Sequence, residues 1–172
     1  MSSLLSIRKY NSNNKIRSMG NKKKRIWRWV ALAVVVLFIV LQFFKIDTSV
    51  PKFDTDKDFI AMTAPSDAVV TLLKNACYDC HSYATEYPWY AEVTPISWWL
   101  QHHVEEGREH LNFSLWGTYS TEKSMHKLEE CTEEVEGGEM PLKSYTFTHG
   151  DVKLSAKEKA TLVAFFDRLR KE

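Results

Sequence analysis

A chain of 172 residues, with 44% hydrophobic and 26% charged side chains, holds one modest domain and an appendage, which excludes a multidomain assembly. Its formal net charge of +1 gives no reason to expect nucleic acid or another polyanion as partner. The charge is unevenly placed, however: residues 1–44 carry nine Lys or Arg and no acid, whereas residues 45–172 carry fourteen basic and twenty-two acidic groups, a net of −8.

Such a split implies two environments. Residues 1–25 read as a basic cytoplasmic tail; the first twenty, rich in Ser, Asn and Lys, are expected to be disordered, with Met19 as an alternative start. Residues 26–44, IWRWVALAVVVLFIVLQFF, are expected to form a transmembrane helix of about 28 Å, close to the hydrocarbon thickness of a bilayer. Trp27 and Trp29 at one end and Phe43 and Phe44 at the other fit an interfacial aromatic belt, and Arg28 can snorkel. The basic run Asn21–Arg25 places the N-terminus in the cytoplasm and the rest of the chain in the periplasm of a bacterial inner membrane. A cleaved signal peptide fits less well, because no small-residue cleavage site follows the apolar run.

Residues 45–63, with Pro51 and the mixed charges DTDKD, read as a linker. Residues 64–172 are expected to form an all-α domain. A first helix starts after Pro65 with Ser66 as N-cap, and Val69, Val70, Leu72, Leu73 and Ala76 supply its apolar face. A second starts at Thr94 as N-cap with Pro95 at the first helical position, its stripe formed by Ile96, Trp99, Leu100, His103 and Val104. A third runs from about Ser120 to Glu136, with Met125, Leu128, Cys131 and Val135 inward and Gly137-Gly138 ending it. The last opens with the capping box Ser155–Glu158 and carries Leu162, Val163, Phe165, Phe166 and Leu169.

The first of these helices runs into Cys77-Tyr78-Asp79-Cys80-His81, the C-x-x-C-H form that reads as covalent haem attachment. Positions i and i+3 of a helical turn reach the two vinyl groups on one side of a porphyrin, and i+4 turns its imidazole toward the iron. A thioredoxin-like dithiol would sit at a helix start in a βαβ context, and a zinc site would need a second ligand pair. A plain disulfide would not call for the histidine.

Met140, in GGEMPLKSY, is the expected distal ligand of the iron, with His149 as second choice. His102 and His103 are adjacent on a helix, so at most one faces the pocket; they and His110 read as polar or propionate-facing, and His126 as solvated. Tyr83, Tyr87, Trp89, Tyr90, Trp98 and Trp99 are candidates to cover the ring, Arg108 to pair with a propionate, and Pro88 or a neighbouring carbonyl to orient His81.

The run CYDCHSYATEYPWYAEVTPISWWLQHHVEEGREHLNFSLW, followed by GEMP and LSAKEKATLVAFF, resembles the bacterial haem-binding domain family over roughly Phe59 to Leu169. The resemblance implies a small, membrane-anchored, cytochrome c-like domain with haem c on Cys77 and Cys80, and His81 as proximal ligand. By similarity to cytochrome c, Met140 takes the distal side. Cys131 belongs to no motif of that family. The expected function is electron transfer rather than enzymatic catalysis, with redox proteins of basic surface as partners. A haem sensor or gas-binding module with a displaceable distal ligand is the alternative. A peroxidase would need an open iron site with a distal acid–base group, for which His149 or His103 could serve.

Overall fold

The computed structural model describes residues 2–172, and among them all regular structure is helical. Eight α-helices follow in order: α1 (Ser2–Leu41), α2 (Phe59–Thr63), α3 (Asp67–Leu73), α4 (Asp79–His81), α5 (Ile96–His110), α6 (Thr121–Gly137), α7 (Lys143–Thr148) and α8 (Ala156–Leu169). Short 3₁₀ turns fill the gaps at Thr55–Lys57, Trp89–Glu92, Phe113–Thr118 and Gly150–Val152.

The backbone of α1 is helical from Ser2, where composition alone suggested disorder, and no proline interrupts it before Leu41. Its C-terminal end lies three residues inside the expected span of residues 26–44. No helix among the described residues is long and apolar enough to cross a membrane. The helix stops at Leu41, and its apolar part from Ile26 covers roughly 24 Å. It stops there because Gln42 turns its amide onto the backbone of Thr94, with Nε2 donating to the Thr94 carbonyl at 2.8 Å and the Thr94 N–H donating to Oε1 at 3.1 Å.

The core of the domain is aromatic. Phe59, Phe113 and Phe166 are all but fully buried, and Phe59 lies 4.9 Å from Phe113 and 4.6 Å from Trp116 between ring centroids. Tyr78 stacks on Phe113 at 5.2 Å, its hydroxyl donating to Asp58 at 2.8 Å. The packed unit therefore begins within the stretch that reads as linker, because Phe59 from α2 fills its centre. Truncating such a ring costs about 3–5 kcal/mol in comparable cores.

Three helix boundaries follow the local chemistry closely. Ser66 stands at the start of α3 although its hydroxyl makes no capping bond, the Ser120 hydroxyl accepts from Lys123 N–H, and the Ser155–Glu158 capping box closes in both directions. Gly138 ends α6 in the left-handed region at φ 77°, where a Cβ would be strained. The start of α5 differs. Thr94 is fully buried and bonded to the end of α1, so Pro95 rather than Thr94 stands at the cap position. The buried stripe of α5 is Ser97, Leu100 and Val104, while Ile96 and Trp99 stay substantially exposed. Small Ser97 allows the close packing that a bulky Trp would not, which rotates the helix away from its expected phase.

Candidate functional site

From Asp67 to His81 the chain is one helical run. It passes from α3 through a π-helical turn, Lys74–Tyr78, into α4. A π-turn widens the helix locally and is common where side chains are aimed at a site. Cys77 lies in that turn, and Cys80 and His81 follow on α4. All three side chains line one cavity of about 440 Å³, within the range of small-molecule and cofactor pockets.

Both cysteines are free thiols. Burial pushes Cys77 up to about 12, with the neighbouring Cys80 adding to it. Burial also pushes Cys80 up to about 11, where Asp79 adds and Arg108 opposes. Such thiols are protonated at neutral pH, the reverse of the lowered pKa that a redox-active dithiol needs. They also lie at the C-terminal end of their helical run, where the dipole disfavours a thiolate. Among the described residues, no group of three His, Cys, Asp or Glu side chains could hold a metal ion by itself, so the zinc reading has no ligand set.

His81 is held by its inner nitrogen. Nδ1 lies 2.9 Å from the Gly107 carbonyl oxygen and 3.1 Å from that of Leu111. Both partners can only accept, so Nδ1 carries the hydrogen and Nε2 keeps its lone pair. Burial pulls the His81 pKa below the ordinary imidazole value, against the effect of the two carbonyls and with a contribution from His110. A neutral imidazole with its tautomer set by a backbone carbonyl is the form in which histidine ligates a metal. The orienting groups come from α5 and its C-terminus, not from Pro88.

Gly107 makes this arrangement sterically possible. A Cβ there would lie 2.7 Å from the Cys80 carbonyl oxygen and 3.1 Å from the Cys80 Cβ. Only glycine lets α5 approach α4 closely enough for its carbonyl to reach His81. Nothing in the local pattern of α5 signals this, since the partner lies 27 positions earlier.

The loop after the motif is pinned from several sides. Asp79 accepts from the Glu86 N–H at 2.9 Å and from the Tyr145 hydroxyl at 2.7 Å. Arg108 donates from Nε to the Ser82 carbonyl at 2.8 Å and from an Nη to Thr85 Oγ1 at 3.0 Å, and its guanidinium covers the Tyr83 ring. Arg108 is thus committed to the loop and is absent from the cavity lining, which corrects the expectation of a propionate partner. Lys127, His103 and His110 are among the basic side chains that line it instead.

Met140 lines the cavity together with His81. It follows the left-handed Gly138, and its N–H donates to the Glu134 carbonyl at 3.1 Å, so the end of α6 fixes where it lies. Cys131 and Val135 from α6, Leu142 after the loop and Phe166 from α8 complete that part of the wall. Cys131 therefore faces the same cavity as the two motif thiols, and burial raises its pKa as well.

His149 does not reach the cavity. Its ring stacks on Tyr145 with centroids 4.5 Å apart, and its Nδ1 lies near the Thr148 hydroxyl. His103 and His110 do line the cavity, whereas His102 and His126 pair with Glu106 and Glu130 on exposed helix faces. The tryptophans and tyrosines behind the motif are not the principal cover. Trp89 is 79% exposed, and only Trp99 and Tyr90 border a small annex beside Cys80. The aromatic walls are Phe113, Tyr145 and Phe166.

A cavity with two thiols three residues apart, an imidazole offering Nε2, apolar walls and a mixed-charge rim fits a flat apolar macrocycle with an iron centre and polar edge. Residues 36–168 match the model of a family described as a haem-binding domain. No curated protein and no solved structure matches the chain.

Proposed function

This chain belongs to the haem-binding domain family, and from that premise we propose that it is a membrane-tethered, periplasm-facing electron carrier of the c type. Binding of haem follows from the family. The further reading assigns covalent attachment to Cys77 and Cys80, proximal ligation to His81 and distal ligation to Met140. One observation carries it: the Nδ1–H of His81 is tied to the Gly107 and Leu111 carbonyls, which leaves Nε2 as the free nitrogen of a residue that lines the cavity with both thiols.

The haem, when bound, supplies a one-electron iron couple. The work of the chain is to hold and shield it. Cys77 and Cys80 would hold the haem covalently, the S–H of each thiol adding across a vinyl double bond to leave a thioether. His81 is held in register by α5 without needing to lose a proton at neutral pH. Met140 is placed by the cap of α6, and a thioether in that position favours the reduced iron. Phe113 and Phe166, in the cavity wall, would help to keep water from the group. Met140 in the wall favours a six-coordinate carrier over a gas-binding or peroxidase-like site, both of which require an open position.

The tether reading rests on the exposed apolar side chains from Val30 to Val40, on Trp27 and Trp29 below them and on the basic run Lys22–Arg25. The non-helical residues Gln42–Phe44 extend the apolar stretch beyond Leu41. The net −8 of the remaining chain would attract partners with basic surfaces, at a rate that falls as salt rises.

The decisive experiment is a pyridine haemochrome spectrum on protein matured in a host that attaches haem covalently. Haem that stays with the chain through denaturation, and is lost in Cys77→Ala/Cys80→Ala, supports the reading; haem that extracts into acid butanone from the wild type overturns it. Ready binding of carbon monoxide by the ferrous protein at neutral pH would favour a sensor with a displaceable ligand.

A further inference from the structure

The end of α1 does not pass into a free tether. Four of the five residues that follow it, Gln42–Ile46, hold it to the domain. Gln42 makes its two bonds to the backbone of Thr94, and the Phe44 carbonyl accepts from Thr94 Oγ1 at 3.2 Å and from Trp98 Nε1 at 3.1 Å. Lys45 pairs with Glu92, and Ile46 packs against the buried cluster of Ala91, Leu100 and Val104. A chain held at 42, 44, 45 and 46 leaves little freedom for the domain to swing about the helix.

The elements that make this clasp, the turn Trp89–Glu92 and the start of α5, carry large apolar side chains that the domain leaves substantially exposed. Trp89 is 79% exposed, Ile96 47%, Trp98 43% and Trp99 42%. Trp98 touches the last residues of the apolar stretch directly, so this patch is continuous with Phe43 and Phe44, themselves 82% and 59% exposed. Indole rings with one apolar face and one N–H donor are suited to the headgroup level of a bilayer. The neighbouring Lys45 also fits that level.

Resting on the reading of α1 as an anchor, we infer that Trp89, Ile96, Trp98 and Trp99 bed into the lipid interface beside the helix end, so that the clasp holds the domain against the membrane in one orientation. His103, in the cavity wall, lies one helical turn beyond Trp99, with the two rings 4.3 Å apart. One edge of the cavity is thereby kept close to the bilayer surface, within reach of redox partners embedded in the same membrane.

The test uses the full-length haem-loaded chain in vesicles of phosphatidylcholine and phosphatidylglycerol. Flotation establishes anchoring first; a chain that stays at the bottom of the gradient overturns the anchor and this inference together. On floated samples, radiolytic hydroxyl-radical footprinting compares the wild type with Trp98→Glu and, separately, Ile96→Glu, each checked for an unchanged haem spectrum. Trp89 and Trp99 should oxidise on the order of threefold more slowly in the wild type than in either variant, with Met125 on α6 unchanged. Equal rates at Trp89 and Trp99 in all three floated proteins would leave the anchor standing and overturn the docking.

Discussion

The Nδ1 atom of His81 lies 2.9 Å from the carbonyl oxygen of Gly107, and that carbonyl is within reach only because residue 107 has no side chain. A Cβ would meet the Cys80 carbonyl at 2.7 Å, which is backbone on a packed helix and cannot swing aside. Gly107→Ala should therefore separate α4 from α5, costing about 1–3 kcal/mol by denaturant unfolding. It should also weaken the hydrogen bond that sets the His81 tautomer. The haem-loaded variant should show an altered low-spin electron paramagnetic resonance signal. An unchanged signal would mean that the imidazole is not oriented by α5.

Met140 lines the cavity with His81, whereas His149 stacks on Tyr145 outside it. Met140→Ala should therefore lower the reduction potential by on the order of 0.1 V and remove any sulfur-to-iron absorption band. His149→Ala should leave both unchanged. The opposite pattern would transfer the distal role to His149.

The buried thiols give a pH signature in the apoprotein. In an unfolded chain a cysteine titrates near 8.5, but burial pushes Cys77 up to about 12 and Cys80 up to about 11. At about pH 8, alkylation of these thiols by iodoacetamide in folded apoprotein should be on the order of 100-fold slower than in the unfolded chain. Because the folded pKa values are raised, the unfolded state releases protons first as pH rises. The corresponding stability is complete below the unfolded pKa and is lost between about pH 8.5 and the folded values. Denaturant titrations of the apoprotein should show that alkaline decline, and Cys77→Ser/Cys80→Ser should reduce it.

What was legible in the sequence is what is local. Cys77, Cys80 and His81 occupy one helical stretch, so their spacing alone carries them to one cavity, and Ser155 with Glu158 closes a cap within a single turn. Met140 stood out by its own glycines and proline. The remaining walls come from distant parts of the chain: Phe113, Lys127, Cys131 and Phe166 meet the motif only through tertiary packing, which periodicity within one helix does not encode. The aromatic run behind the motif misled for the same reason. Ser97, Leu100 and Val104 set the rotation of α5, and its tryptophans went outward. Gly107 carries no signal in the sequence, because the backbone it accommodates belongs to Cys80.

Arg108 separates a structural role from an electrostatic one. Its guanidinium bonds the Ser82 carbonyl and Thr85 Oγ1 and covers Tyr83, all in the loop that leaves the motif, and it does not line the cavity. Arg108→Leu keeps the aliphatic packing but removes the charge-assisted bonds, so it should cost about 1.5–3 kcal/mol in stability. If the role is confined to the loop, the reduction potential of the loaded protein should stay nearly unchanged. Lys127→Leu, by contrast, removes a positive charge from the cavity rim, and the less positive surroundings should favour the oxidised iron. Its potential should fall, and because the Lys127 side chain is largely buried and pairs with Glu130 at 2.6 Å, stability should fall by about 1.5–3 kcal/mol as well. Paired potentiometric and unfolding titrations of the two variants check both halves; a potential that responds to Arg108→Leu and not to Lys127→Leu would return Arg108 to the edge of the cofactor.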